Sequence, residues 1–371
     1  MKRLSLFAIS SLLCFNSYAQ TISIKNKSAL KREGELVRID WNELLKRNPK
    51  IDTSNLQVVN QATFAQVPFQ LEKVGSNEVK FLLLQVSVQP KSTLKVILQD
   101  EKSTPLNAKT YGRYVPERKD DFAWENDKIA FRMYGKALEG SNENAYGIDV
   151  WVKRTSELVI NKRYKVDNYH KDHGDGLDYY SVGQTLGAGD MAPYLADSVW
   201  YLGNYKSYKI LDNGPLRTTF QLNYDEASAN NQRIEVQKLV SIDAGSQMNR
   251  IENSYKFKEA GLLPVAVGLA TRNEKDKQIL QDDKGVIGYW EPVHGEDGIT
   301  GVGAVLISPI KVVKKHNQLL AVTEVKANEP VVYYNGAAWN KAGEITDSQQ
   351  WFDYLKNFKQ KLQQPLVVKV N

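Results

Sequence analysis

An all-β architecture is expected, with a small N-terminal β-sandwich, a large antiparallel β-sandwich and one helix near the end of the chain. Three observations predict it. Apolar residues alternate with polar ones at Val67, Phe69 and Leu71, at Leu94, Val96 and Leu98, at Ile148, Val150 and Val152, and at Phe220, Leu222 and Tyr224, which is the period of a half-buried strand. Turn signals such as Asp212-Asn213-Gly214-Pro215 and Asp243-Ala244-Gly245 divide these runs with no helix between them, which argues against a parallel α/β sheet. A long helical period occurs once, at Trp351, Leu355, Phe358 and Leu362, after a cap near Thr346 or Asp347 and before Pro365.

The first residues, MKRLSLFAISSLLCFNSYAQ, read as a secretory signal peptide over 1–19. Lys2 and Arg3 precede an apolar run from Leu4 to Phe15, and Ala19 stands at the cleavage position. A periplasmic or secreted protein is therefore expected. Cleavage would remove Cys14, the single cysteine, so neither a disulfide nor thiol chemistry is expected. No later apolar run reaches the length of a membrane span, and no membrane partner is expected.

Residues 20–100 form the expected first domain, with a buried strand at Phe81–Leu84 and a short helix at Trp41–Lys46 behind Asp40. Glu101–Asp121 is a polar linker that wraps onto the second domain, which spans 101–371 and closes with a strand at Leu366–Val370. The formal net charge of +6 is spread along the chain; without a basic tract, nucleic acid is not a partner. A mildly basic surface suits acidic glycans. The 19 tyrosines and 7 tryptophans offer faces for sugars, although most aromatics of a β-protein are core.

The richest stretch is Tyr169–Asp190, YHKDHGDGLDYYSVGQTLGAGD. His170 and His173 stand among Asp172, Asp175 and Asp178, with five glycines that would let a substrate approach. A second is Gly288–Gly303, GYWEPVHGEDGITGVG, with Trp290, Glu291, His294, Glu296 and Asp297. Two such loops meeting at one cleft would give an acid–base pair or a His/carboxylate metal site. A divalent metal on His173, Asp175, His294 and Glu291 ranks below metal-free chemistry, because neither stretch has a zinc signature, and no cofactor is expected. Asp120–Gly135, DDFAWENDKIAFRMYG, puts Arg132 and Tyr134 on one strand face, with Arg113 and Arg118 upstream. An arginine there can hold a carboxylate or pair with a neighbouring acid. Tyr334 and Trp339 offer further sugar-stacking faces; His316 sits in a basic strand end and reads as solvated. There is no GxSxG elbow, phosphate loop or HExxH helix.

DDFAWENDKIAFRMYG, YHKDHGDGLDYYSVGQTLGAG, GYWEPVHGEDGITGVG and YYNGAAWNKAGEITDSQQWFDYLKNF together resemble a family of secreted bacterial proteins. The family is labelled a domain of unknown function, is found beside polysaccharide-degrading enzymes, and includes an oligosaccharide dehydratase of ulvan breakdown. The resemblance implies a supersandwich of the mutarotase- or lyase-like kind, and removal of water from a non-reducing-end uronic acid. That reaction needs a base for the C5 proton, an acid for the departing C4 hydroxyl, and a positive charge on the carboxylate. Candidate acids and bases are His170, His173, His294, Tyr146, Tyr179 and Tyr180, with His173 favoured; Arg113 or Arg132 would clamp the carboxylate, and Tyr134, Trp290 and Trp339 would bind the sugar. Two other readings stand. A polysaccharide lyase or glycoside hydrolase is one; the hydrolase would pair Asp175 or Asp178 with Glu291 or Glu296. The other is a non-catalytic glycan-binding protein that stacks Trp290, Trp339 and tyrosines on sugar rings. The oligomeric state is not legible.

Overall fold

The computed structural model describes residues 20–166, 168–259 and 261–371; the signal peptide expected over 1–19 lies outside the described residues. Alternation dictates the first unit. Gln20–Lys25, Thr93–Asp100 and Leu56–Asn60 form one antiparallel sheet, and Arg32–Asp40, Phe81–Val88 and Phe69–Glu72 form another. Ile22, Ile24, Val37, Ile39, Leu82, Leu84, Val96 and Leu98 fill the space between them. Asp40 caps the short helix Trp41–Arg47 by accepting from the N–H groups of Asn42 (2.8 Å) and Glu43 (3.3 Å). The C-terminal strand Val367–Val370 pairs with Gln20–Lys25, so the end of the chain completes the sandwich that its beginning started.

The larger unit is built on a nine-stranded antiparallel sheet. Facing it are a five-stranded sheet from Thr110–Val115 to Gly176–Leu177 and another from Ser198–Val199 to Lys311–Lys315. One continuous core, including Phe122, Trp124, Phe131, Phe220, Tyr255, Tyr289 and Tyr333, lies between them. This is the all-β, multi-sheet architecture that the alternation predicts.

The C-terminal helix, Ser348–Gln363, starts at Asp347, whose carboxylate accepts from the Gln350 N–H at 2.9 Å. It lies on the outer face of the large sheet, where Trp351 and Leu355 are fully buried. Gly288, Gly301 and Gly303 make that docking possible. A Cβ on Gly303 would stand 2.5 Å from Leu355 Cδ1, and one on Gly288 2.9 Å from the same atom. They are a floor for the helix. Buried Arg32 joins the two units: its guanidinium pairs with Glu35 at 2.8 Å and donates to the Gln364 carbonyl at the end of this helix. Among the described residues no helix is long and apolar enough to cross a membrane.

Candidate acid–base site

Strand period decides what Gly288–Gly303 offers. Val286, Gly288 and Trp290 face the helix, while Ile287 and Tyr289 face the core. Trp290 is therefore 4% exposed under Trp351 and presents no ring face to a sugar, contrary to expectation. Glu291, one step on, lies on the opposite side. Its carboxylate is 3.1 Å from Arg272 Nη2, and burial outweighs that arginine, pushing the carboxyl up to about 7. The turn that follows exposes His294, whose Nδ1 is 3.0 Å from Asp297 Oδ2. The side chain of His294 is 66% exposed, so its other ring nitrogen is open to a ligand.

Tyr169–Asp190 meets this turn. The Tyr179 ring packs 5.2 Å from the His294 ring, and the Tyr179 hydroxyl accepts from Thr300 Oγ1 at 2.6 Å. Arg272 donates to the Ser181 carbonyl at 2.6 Å and stands over the ring of buried Tyr180. The two stretches thus converge, through Tyr179 and Tyr180 rather than through the first stretch's histidines. Among its glycines, Gly176 (φ +115) and Gly187 (φ +62) lie against backbone, where a Cβ would fall 2.0 Å from Val152 O and 2.2 Å from Ile148 O. They let the loop cross the sheet edge, and are not openings for substrate.

His173 is exposed and bonds through Nε2 to the Asn168 carbonyl at 3.0 Å. Asp175 is held by Arg163 and by Lys162 at 2.9 Å. The metal set of His173, Asp175, His294 and Glu291 is therefore not assembled, and among the described residues no three His, Cys, Asp or Glu side chains are placed to hold a metal. Asp172 pairs with Arg154, which stands over the ring of Trp339. Trp339 is itself 2% exposed and donates its indole N–H to the Asp297 carbonyl at 2.8 Å; it supports the turn and does not stack on sugar. Glu296 is exposed on that turn. Tyr146 stacks on Tyr201 and takes a hydrogen bond from Asn144. Tyr334 packs edge-on against Phe358 of the helix.

Arg132 is not a free clamp. It is buried, bonds Asp149 at 2.6 Å, and lies 3.0 Å from Asp178 and 3.7 Å from Asp121. Tyr134 donates to Asp149 at 2.9 Å. His170 joins this cluster, with Nδ1 2.8 Å from the Asp178 carbonyl. Arg113 pairs with Glu117 at 2.5 Å, and Arg118 donates to the Tyr169 hydroxyl at 3.0 Å. Burial pushes both Asp121 and Asp178 up to about 7, against the pull of Arg132. Neither Asp121 oxygen has a hydrogen-bond partner among the described residues.

The raised Asp121 has a consequence for stability. A carboxyl whose folded pKa exceeds its unfolded value costs stability progressively as pH rises from about 4, the unfolded value, toward the folded value of about 7. Asp121→Asn is therefore expected to raise the unfolding midpoint more at pH 8 than at pH 4, as measured by thermal melts at the two pH values.

Asp149 and Arg272 escaped sequence reading. Asp149 sits in an ordinary alternating strand, and Arg272 follows a strand in a charged loop; neither position carries a local motif.

A family described as "Domain of unknown function (DUF4861)" matches residues 24–368. "Uncharacterized protein P7" of Formosa agariphila is 29% identical, with 98% of each chain covered. Among solved structures, a protein in the Glycosyl Hydrolase Family 38 from Enterococcus faecalis superposes with a TM-score of 0.56 at 12% identity, covering 96% of this chain and 48% of that one. An alpha-mannosidase from Enterococcus faecalis V583 gives 0.52 at 11%, covering 96% and 46%. The chain spans about half the length of these solved structures, and the likeness is one of fold.

Proposed function

The chain belongs to the DUF4861 family, and from that premise we propose that it is a carbon–oxygen lyase: an oligosaccharide dehydratase that removes water from a non-reducing-end uronic acid to leave an unsaturated uronate. The observation that carries this reading is the meeting of His294, backed by Asp297, with Glu291 and Arg272 beside Tyr179. The resemblance to a family containing an ulvan oligosaccharide dehydratase supplies the reaction class, and the periplasmic or secreted location expected from residues 1–19 suits a glycan substrate.

Asp297 accepts a hydrogen bond from the Nδ1–H of His294, which turns the Nε2 lone pair outward to serve as base for the C5 proton, acidic because it is alpha to the carboxylate. Glu291, pushed up to about 7 by burial, keeps a large protonated fraction at neutral pH, and that form gives its proton to the C4 oxygen as that bond breaks. The electron pair of the C5–H bond becomes the C4–C5 double bond, and water leaves. With Glu291 neutral, the charge of Arg272 is available to the substrate carboxylate and stabilises the enolate-like intermediate. Tyr179 positions the His294 ring. Solvent then returns a proton to Glu291 and removes one from His294.

Two measurements test this. Incubation with uronate-terminated oligosaccharides is expected to generate the ultraviolet absorbance of an unsaturated uronate together with a product lighter by one water; shortening of the chain without absorbance would instead mean hydrolysis. The turnover rate is expected to fall as pH rises through about 7, where Glu291 loses its proton, and a Glu291→Gln variant should lose that alkaline limb along with most of its activity.

A glycoside hydrolase is the second reading, favoured by the raised carboxyls of Glu291 and Asp178 and by the fold likeness to the glycosyl hydrolase and the alpha-mannosidase of Enterococcus faecalis. Its weakness is that Asp178 is engaged with Arg132 inside the buried cluster.

A further inference from the structure

Beside the acid–base site lies a groove of about 300 Å³. The turn that joins Lys311–Lys315 to Gln318–Lys326 forms one wall; His316 (φ +50) and Asn317 (φ +55) are its two left-handed residues. Lys314, Lys315 and His316 line that wall, Lys277 and Thr271 line the opposite one, and among the described residues no carboxylate lines the groove. Lys315 is neutralised from outside the groove by Asp197. Lys277 donates to the Arg272 carbonyl at 2.6 Å, and neither it nor Lys314 has a carboxylate within ion-pair distance among the described residues.

Two connections tie this groove to the acid–base site. Thr271 donates its N–H to the Asn317 carbonyl at 2.7 Å, and the next residue is Arg272, whose side chain reaches Glu291. Gln318, buried at the groove floor, accepts from the Leu186 N–H at 2.7 Å, which anchors the end of the loop that carries Tyr179 and Tyr180. Lysines on the edge strand Lys311–Lys315 also discourage strand addition by another chain. That role requires neither a concavity nor the contribution of Lys277 from a different strand connection.

We propose that this groove is an anion subsite for an oxyanion substituent on the sugar adjoining the reacting one. The proposal rests on the acid–base reading above and adds where a second negative charge of the substrate is read. The chemistry is that of ammonium and imidazole donors toward a sulfate ester or a carboxylate, each contact charge-assisted.

The test uses two disaccharides that share a terminal uronic acid, one with a sulfate ester on the second sugar and one with that sulfate removed. Binding is measured by calorimetry and turnover by product mass, with the full chain and with the double variant Lys314→Gln, His316→Asn; asparagine keeps the left-handed turn. The wild-type chain is expected to bind the sulfated disaccharide about tenfold more tightly. The double variant should lose that advantage while its kcat on the unsulfated disaccharide stays the same. Equal affinity for the two disaccharides in the wild-type chain, or an advantage that survives in the double variant, overturns the subsite. Because affinity is read without turnover, selective binding with no reaction would uphold the groove and sink the dehydratase reading alone.

Discussion

His294→Ala is expected to lower turnover of a uronate-terminated oligosaccharide by about a hundred- to ten-thousand-fold, the usual contribution of a positioned proton-transfer group, while leaving the unfolding midpoint unchanged. The side chain is 66% exposed, so its removal opens no cavity. Steady-state kinetics with circular dichroism melts separates the two effects. Asp297→Asn should act in the same direction more weakly, since it removes the group that orients the ring and leaves the ring in place. His173→Ala is the control. Its ring bonds only a neighbouring carbonyl at the surface, and near-normal activity is expected. If His173→Ala were inactive and His294→Ala active, the site would be misassigned.

Arg132→Met is expected to destabilise the fold by about 3–5 kcal/mol at pH 7.5, because it strands buried carboxylates without their counter-charge. Asp149, Asp178 and Asp121 all face this one guanidinium. Removing it takes away the attraction that opposes burial at Asp121 and Asp178, so more of that cost is relieved by protonation as pH falls. The loss should shrink at pH 5, and denaturant unfolding at the two pH values reads the difference. A pH-independent loss would mean that Arg132 matters for packing alone.

The all-β class was legible because alternation is local: every strand that buries one face writes its period into the chain. The final helix was legible for the same reason, through Trp351, Leu355 and Phe358 at helical steps. What could not be read was which loops would meet. Tyr169–Asp190 and Gly288–Gly303 announced themselves by composition, but which side chains face each other depends on strand register over long separations. Thus His173, the most conspicuous histidine of the first stretch, points to solvent, and Tyr179 of the same stretch packs on His294. Trp290 and Trp339 misled for a related reason. A tryptophan's chemistry suits a sugar face or a core equally, and parity along the strand decided for the core in both. Arg132 and Asp149 needed the strand pairing Asp149↔Arg132 before they could be recognised as one network. Gly288 and Gly303 of the second stretch were explained only by the C-terminal helix, whose Leu355 rests on both.

The most direct test of uronate elimination is the reaction run in water enriched in heavy oxygen, with the product weighed by mass spectrometry. Elimination breaks the C4–oxygen bond and the C5–hydrogen bond, so the oligosaccharide is expected to lose one water, keep its length and take up no solvent oxygen. A shortened product carrying one heavy oxygen at its new reducing end would show hydrolysis, and would contradict the assignment of His294 and Glu291 as the base and acid of a dehydration.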